Sequence, residues 1–253
     1  MKYKVNPNIN YITVKTLQGE HMQVDVLNLE KAVILTNETL QALTNFNGVN
    51  ISELLWMRNL SAVIGEIFVT ACVKNLNHSF IKNPHQDGYP DLIAMNTIWM
   101  PFFSSINASR EKKHFSPFIS WWIEVKATCW DVPSAKSLEA KGMVKPWIWV
   151  QRLPILTSYN WKAHHRQTNN LIWLFWDFIE WIPTIIGVFF SNELNQDDWW
   201  DVIMPTNIDS RTTSVSIMNA DGVSKMYKWW VLVIDDIPEY ISFFNKRNKA
   251  NLI

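Results

Sequence analysis

The segment WIEVKATCW, residues 122–130, alternates between apolar and polar positions in the way typical of a β-strand. Successive side chains of a strand point to opposite faces, so Glu124 and Lys126 share one face and the apolar residues between them share the other. An acid beside an amine forms either a weak, solvent-exposed ion pair or one half of an active site. The segment NPHQDGYPDLIAM, residues 83–95, bears on that choice.

Asp91 follows the turn DGYP and begins a predicted strand over residues 91–100. If this strand pairs with the strand over 122–130, Asp91, Glu124 and Lys126 converge at one end of a sheet. Hydrolysis of a phosphodiester needs a nucleophilic water and relief of the negative charge on the phosphate. Carboxylate oxygens are the ligands that Mg²⁺ prefers. The three side chains are therefore chemically suited to a metal site that cleaves a phosphodiester, although Asp…Glu-x-Lys alone is common by chance.

The arrangement Pro90-Asp91, followed after 32 residues by Glu124-x-Lys126, resembles the motif of the PD-(D/E)xK nuclease superfamily. Together, DGYPDL and IEVKAT look most like the type II restriction endonucleases of that superfamily. The resemblance covers about forty residues. It implies an α/β fold with a restriction-endonuclease-like mixed β-sheet core flanked by helices.

The resemblance also implies a mechanism and partners. Asp91 and Glu124 would bind Mg²⁺ with the main-chain carbonyl of Val125, and Lys126 would assist the attacking water. The substrate would be double-stranded DNA, cut at a short palindromic site by a homodimer, because a two-fold protein matches a two-fold duplex. A companion DNA methyltransferase would protect the host DNA.

Two other functions stay open at this point. A DNA repair, recombination or phage nuclease would use the same core and the same three side chains. A catalytically silent DNA-binding module is the alternative from outside the enzymes, although such a module has no need of an intact Asp91, Glu124 and Lys126.

Further candidate residues lie outside the motif. Glu66 lies in the apolar helical segment SAVIGEIFV, and the resemblance makes it a possible supplementary metal ligand; a glutamate that reaches solvent from the helix edge is equally compatible. Asp87 is interpreted as a turn residue. The segment WKAHHRQTNN concentrates side chains that suit phosphates and base edges, and we expect DNA contacts from Lys162, His164, His165, Arg166, Asn169 and Asn170.

The 253-residue chain is long enough for a substantial core, and we interpret it as one nuclease domain. A helical N-terminal part over about 1–80 would precede a catalytic core over about 81–235. The formal net charge is zero, from 23 basic and 23 acidic residues, which argues against non-specific nucleic-acid binding by a uniformly basic surface. Two cysteines form no disulfide framework, and the N-terminus lacks the apolar core of a signal peptide, so a cytoplasmic location is expected.

The apolar run LIWLFWDFIEWIPTIIGVFF, residues 171–190, is the most membrane-like part of the sequence. Its Asp177, Glu180 and Pro183 argue against a membrane span, because each central acid costs about 2.5–3.5 kcal/mol on insertion. Two buried strands joined by a turn at EWIP are predicted instead. Other predicted elements are a helix over 50–76, a helix over 192–203, strands over 10–17, 21–29, 211–219 and 227–235, and a C-terminal helix from about residue 237.

The composition holds one anomaly. The sequence has 15 Trp and only 7 Gly, whereas an average share of about 7% would give roughly 18 Gly. Several Trp, such as Trp181 in EWIP and Trp200 in DDWWD, stand where turns favour glycine. Either the protein is rich in tryptophan, or some UGA codons that its host reads as glycine are translated here as tryptophan.

Overall fold

The computed structural model describes residues 1–15, 19–44, 51–55, 57–77, 79–85, 88–95, 99–106, 111–115, 122–129, 133–144, 147, 149–156, 161–163, 166, 170–203 and 215–248. The described chain is a mixed α/β protein. Its strands are β1 (Tyr3–Val5), β2 (Tyr11–Lys15), β3 (His21–Asp25), β4 (Phe80–Lys82), β5 (Leu92–Ala94), β6 (Trp122–Cys129), β7 (Lys162–Ala163), β8 (Leu171–Ile179), β9 (Ile182–Ser191), β10 (Ser216–Ile217) and β11 (Trp230–Ile234).

The helices are α1 (Val26–Thr44), α2 (Ile51–Leu54), α3 (Met57–Asn75), α4 (Trp99–Ile106), α5 (Ala135–Glu139), α6 (Ala220–Lys228) and α7 (Pro238–Asn248). A seven-stranded sheet has the strand order β1-β11-β9-β8-β6-β5-β4, and β2 with β3 and β7 with β10 form two small separate sheets. β6 and β8 run parallel, and the other paired neighbours in the large sheet are antiparallel.

Strand β8 shows how the core is organised. Ile172, Leu174 and Trp176 belong to a core cluster shared with α1 and α3, whereas Trp173 and Phe175 belong to a second cluster shared with α6 and α7. Both faces of this strand are therefore covered by helices. This explains why residues 171–178 are almost uniformly apolar, as expected for a strand buried on both sides.

The structure confirms the hairpin over 170–191, which forms β8 and β9 in the core. No helix in the described part of the chain has the length and apolar character needed to cross a membrane. The predicted helix over 50–76 is confirmed as α2 and α3, and the predicted C-terminal helix as α7. The segment 1–80 also contributes β1, β2 and β3, and β1 pairs with β11 in the large sheet.

Three local predictions were wrong. Residues 26–29, predicted as the end of a strand, are the first turn of helix α1. The helix begins at Val26, directly after β3, where Asp25 Oδ1 accepts a hydrogen bond from the Leu27 N–H at 2.8 Å and caps the helix. The predicted helix over 192–203 is instead a 3₁₀ turn at Gln196–Asp198 followed by extended chain. That chain pairs with residues 215–218. Residues 99 and 100, predicted as the end of a strand, are the first two residues of α4, which continues to Ile106.

The turn between β8 and β9 bears on the excess of tryptophan. Glu180 and Trp181 have φ values of 49° and 70°, the left-handed pair that a two-residue type I′ hairpin turn requires. Such turns favour Asn-Gly, because glycine has no Cβ to crowd the backbone. Trp230, by contrast, is 3% exposed in the middle of the core. Glycine would therefore suit position 181, whereas at position 230 it would leave a cavity in the core.

Candidate active site

The register of β4, β5 and β6 determines which residues meet. Leu92 pairs with Ile123 and Ile93 with Trp122, so the antiparallel register places Asp91 opposite Glu124. Residues opposite each other in a sheet share a face. The alternation of β6 adds Lys126 to that face. The strand pattern in the sequence and the observed register therefore bring Asp91, Glu124 and Lys126 to one place.

The sheet opens beside Asp91. Strand β5 begins at Leu92, so the main-chain pairing between β5 and β6 stops at Ile123. Beyond that point the side chain of Asp91 replaces the missing strand, and its Oδ2 accepts a hydrogen bond from the Val125 N–H at 2.8 Å. β6 continues alongside β8 as far as Cys129. An open edge of β6 thus forms one wall of a gap in the sheet.

Glu124 and Lys126 interact directly. The Lys126 Nζ donates a hydrogen bond to Glu124 Oε1. The side chain of Lys126 is 24% exposed and that of Glu124 is 4% exposed. The pair is therefore not the solvent-exposed surface pair that the sequence left open. A nearly buried carboxylate with one lysine partner, next to a second carboxylate, is costly for a fold to maintain.

The electrostatics reflect this crowding of charge. Burial raises the pKa of Asp91 to about 7, and the negative charge of Glu124 adds to the rise, whereas Lys126 and the Val125 N–H act in the opposite direction. Burial acts to lower the pKa of Lys126, but the carboxylates of Glu124 and Asp91 outweigh it, so that its pKa is raised. A buried acid and a half-buried acid side by side, with one ammonium group, form a site whose excess negative charge a further cation would compensate.

The gap in the sheet leads into a cleft of about 650 Å³. Its lining comes from α3, from the turn between β4 and β5, from the open edge of β6 and from β7. Asp91 and Lys126 line it, as do Glu66, Lys82 and Lys162. Because α3 and β7 lie on opposite faces of the sheet, the cleft wraps around the open edge of β6.

Glu66 lines the same cleft without joining the two carboxylates. It forms an ion pair with Lys82, in which both side chains are about half exposed. Lys82 pairs with Leu92 in the register of β4 and β5, which places it on the α3 side of the sheet, away from Asp91 and Glu124. No cluster of three or more His, Cys, Asp or Glu suited to a metal ion occurs among the described residues.

The donors present still suit Mg²⁺, with Asp91 and Glu124 supplying two carboxylates. Mg²⁺ commonly binds one or two carboxylates and takes its remaining ligands from water and substrate phosphate. The cleft beside the two acids gives room for both.

The residues expected to contact DNA occupy different environments. Lys162 is exposed on β7 and lines the cleft. The side chain of Arg166 is 25% exposed and forms an ion pair with Asp201, with 3.5 Å between Arg166 Nη1 and Asp201 Oδ1. His164, His165 and Asn169, like Asp87, lie outside the described residues.

The prediction for Asn170 was wrong. Asn170 is fully buried, and its side-chain amide bonds to both main-chain polar groups of Lys15, at 2.8 Å from the N–H and at 2.7 Å to the carbonyl. Its own main-chain carbonyl accepts from the Glu124 N–H at 3.0 Å. Asn170 therefore fixes β2 to the end of β8 and supports Glu124, and its amide is not available to a base edge.

The sequence interpretation overlooked the turn residues around Asn83. Asn83 is 7% exposed, and its amide donates to the carbonyls of Pro90 and Phe115, each at 2.9 Å. Its N–H donates to the Asp91 carbonyl at 2.9 Å. The segment NPHQDGYP holds the signal, since asparagine and proline mark a turn, but the sequence does not show that the asparagine is buried beneath it.

Comparison with known proteins gave no match to any protein-family model, curated protein or solved structure.

Proposed function

We propose that this protein is a Mg²⁺-dependent endonuclease of the PD-(D/E)xK superfamily that hydrolyses phosphodiester bonds in double-stranded DNA. The observation that carries the proposal is the convergence of Asp91, Glu124 and Lys126 at the open edge of β6, beside a cleft. These residues come from segments more than thirty positions apart, and their types are those that the motif requires.

Each residue has a defined role in the proposed reaction. Asp91 and Glu124 would hold Mg²⁺, with the carbonyl of Val125 as the resemblance implies. Bound there, the ion would acidify a water and neutralise charge on the phosphate. Lys126 would orient the attacking water or donate to a phosphate oxygen. The Val125 N–H fixes one oxygen of the Asp91 carboxylate at the open edge of β6.

Within this superfamily, a type II restriction endonuclease is the proposed specific function. Support comes from the sequence match around DGYPDL and IEVKAT and from the mixed sheet flanked by helices, in which α3 packs against β4 and β6. The proposal includes a restriction-endonuclease-like core, a homodimer, a cytoplasmic location and a companion DNA methyltransferase. Lys162 and Arg166 are the described candidates for DNA contacts.

A cleavage assay with matched variants tests the proposal. Purified protein is incubated with phage DNA and with supercoiled plasmid in Mg²⁺, with an EDTA control. Asp91→Asn keeps the size of the side chain but removes the charge, and we expect it to abolish cleavage and to retain DNA binding. Asp221→Asn, at an exposed acid in the first turn of α6, is the matched control and keeps full activity.

The pattern of products separates the candidate functions. Discrete bands from both DNAs indicate restriction, whereas preference for branched or damaged DNA indicates a repair or recombination nuclease. Binding of DNA without cleavage in any divalent metal indicates a catalytically silent module. Equal cleavage by Asp91→Asn and the unmodified protein contradicts the proposed site.

A further inference from the structure

The turn between β4 and β5 carries a second side chain into the cleft besides Asp91. His85 lines the same 650 Å³ cavity as Asp91 and Lys126. We propose that His85 contacts the substrate, and that its imidazole donates a hydrogen bond to a phosphate oxygen of the DNA strand bound in the cleft. This inference rests on the proposed nuclease function and adds a substrate-contacting residue that the motif does not contain.

His85 is held by contacts that do not depend on a ligand. Its main-chain N–H donates to Asn83 Oδ1 at 3.0 Å, and its carbonyl accepts from the Gly88 N–H at 2.8 Å. The ring stacks on Phe115, with the centroids 6.5 Å apart and the planes inclined by 23°. Both the backbone and the ring of His85 are thus fixed, which reduces the entropy lost on binding a substrate.

The same buried amide connects His85 with the carboxylate site. Asn83 accepts the His85 N–H through its side chain, and its own main-chain N–H donates to the Asp91 carbonyl. Its amide also binds the Phe115 carbonyl, next to the ring on which His85 stacks. The separation between His85 and Asp91 is therefore set by one hydrogen-bonded unit. A histidine on an independent loop would have no such fixed distance from the metal ligands.

Imidazole suits the chemistry required at this place. Of the three lysines that line the cleft, Lys82 and Lys126 are each paired with a glutamate, so part of their charge is already compensated. An imidazole donates at least one N–H in either protonation state, and a hydrogen bond to an anionic phosphate is among the stronger ones in proteins. A donor fixed beside the site where charge develops accelerates phosphoryl transfer without rearrangement.

Three substitutions of His85 separate the hydrogen bond from the packing. His85→Phe keeps a ring against Phe115 and removes both nitrogens, His85→Gln keeps an N–H donor, and His85→Ala removes ring and donor together. His21→Phe, on an exposed histidine of β3 outside the cleft, is the control for the same chemical change. Single-turnover cleavage of a short duplex is measured in Mg²⁺, and duplex binding is measured by fluorescence anisotropy in Ca²⁺.

We expect His85→Phe to lower the cleavage rate or the duplex affinity by about 10- to 100-fold, the loss typical of one hydrogen bond to a charged group. His85→Gln retains most of both, and His21→Phe is unchanged. If His85→Phe cleaves and binds as the unmodified protein does, the inference is overturned. If it fails to fold by thermal melting, His85→Gln and His85→Ala decide, since equal activity of these two also overturns the inference.

Failure of the proposed function gives a different result. If the unmodified protein binds the duplex but cleaves no DNA in Mg²⁺, the nuclease proposal falls and binding alone tests His85. Weaker binding by His85→Phe, with His21→Phe unchanged, then supports the phosphate contact, and equal binding rejects it. If the unmodified protein neither binds nor cleaves duplex DNA, both proposals fall.

Discussion

Trp181 offers a test of whether tryptophan is the residue that this fold requires at the hairpin turn. Among the described residues other than glycine, only Asn77, Glu180 and Trp181 have a positive φ. The left-handed conformation costs a residue with a Cβ about 1–2 kcal/mol, whereas glycine adopts it freely. The side chain of Trp181 is 56% exposed, with a ring contact to Trp149 at 6.2 Å, so that little burial offsets the cost.

The comparison of Trp181→Gly with Trp181→Ala isolates the backbone effect. Both substitutions remove the indole and its contact with Trp149, and only the glycine removes the left-handed strain. Glycine carries an entropic disadvantage of about 0.5–1 kcal/mol, so a net advantage of about 0.5–1 kcal/mol over alanine remains. For a chain of this length that difference corresponds to roughly 1–4 °C in Tm.

The same pair of substitutions at Trp200 is the matched control. Trp200 is 63% exposed but is not among the described residues with positive φ. Alanine is therefore expected to be the more stable replacement there, by about 0.5–1 kcal/mol. Thermal and urea unfolding of the four variants measures both differences. An alanine as stable as glycine at position 181 would refute the reasoning. If glycine is favoured, the mass of the peptide 171–191 from the native host shows whether the host itself inserts glycine.

Two other predictions concern stability and the turn that carries Asp91. Burial raises the pKa of Asp177 to about 6 from 3.8, so the folded state binds more protons than the unfolded state between these values. Stability should then fall by up to about 3 kcal/mol as the pH rises from about 4 to 6. Asp91 adds a slope of the same sign, so urea unfolding across this range should show a smaller pH slope in Asp177→Asn than in the unmodified protein, and equal slopes would contradict the interpretation. In Gly88→Ala, a new Cβ would lie 2.2 Å from Asn83 Oδ1, so we expect a lower Tm and impaired cleavage. Gly65→Ala, whose Cβ meets nothing within 4 Å in helix α3, should raise the Tm, and equal melting of the two variants would contradict the role given to Asn83.

The sequence predicted those parts of the site that depend on local periodicity. Alternation in β6 is sufficient to put Glu124 and Lys126 on one face. The glycine and proline before Asp91 are sufficient to predict the turn. The register between β5 and β6 is not local, because it depends on a pairing across the long excursion that includes α4. The burial of Asn83 and of Asn170 could not be predicted from the sequence either, because it depends on segments that meet only in the folded chain.

The observed environment also bears on the choice between a surface pair and a site for Glu124 and Lys126. A surface pair is solvated and contributes little to stability in either direction. Glu124 is 3% exposed, and the register sets Asp91 opposite it, so two acids share one poorly solvated place. Replacing a buried ion pair by hydrophobic residues of similar volume is often neutral or stabilising, so this arrangement is weak support for the stability of the sheet. This arrangement of three ionisable groups at the mouth of a cleft supports the proposal that the two carboxylates bind a cation, because a cation entering the cleft would compensate their charge.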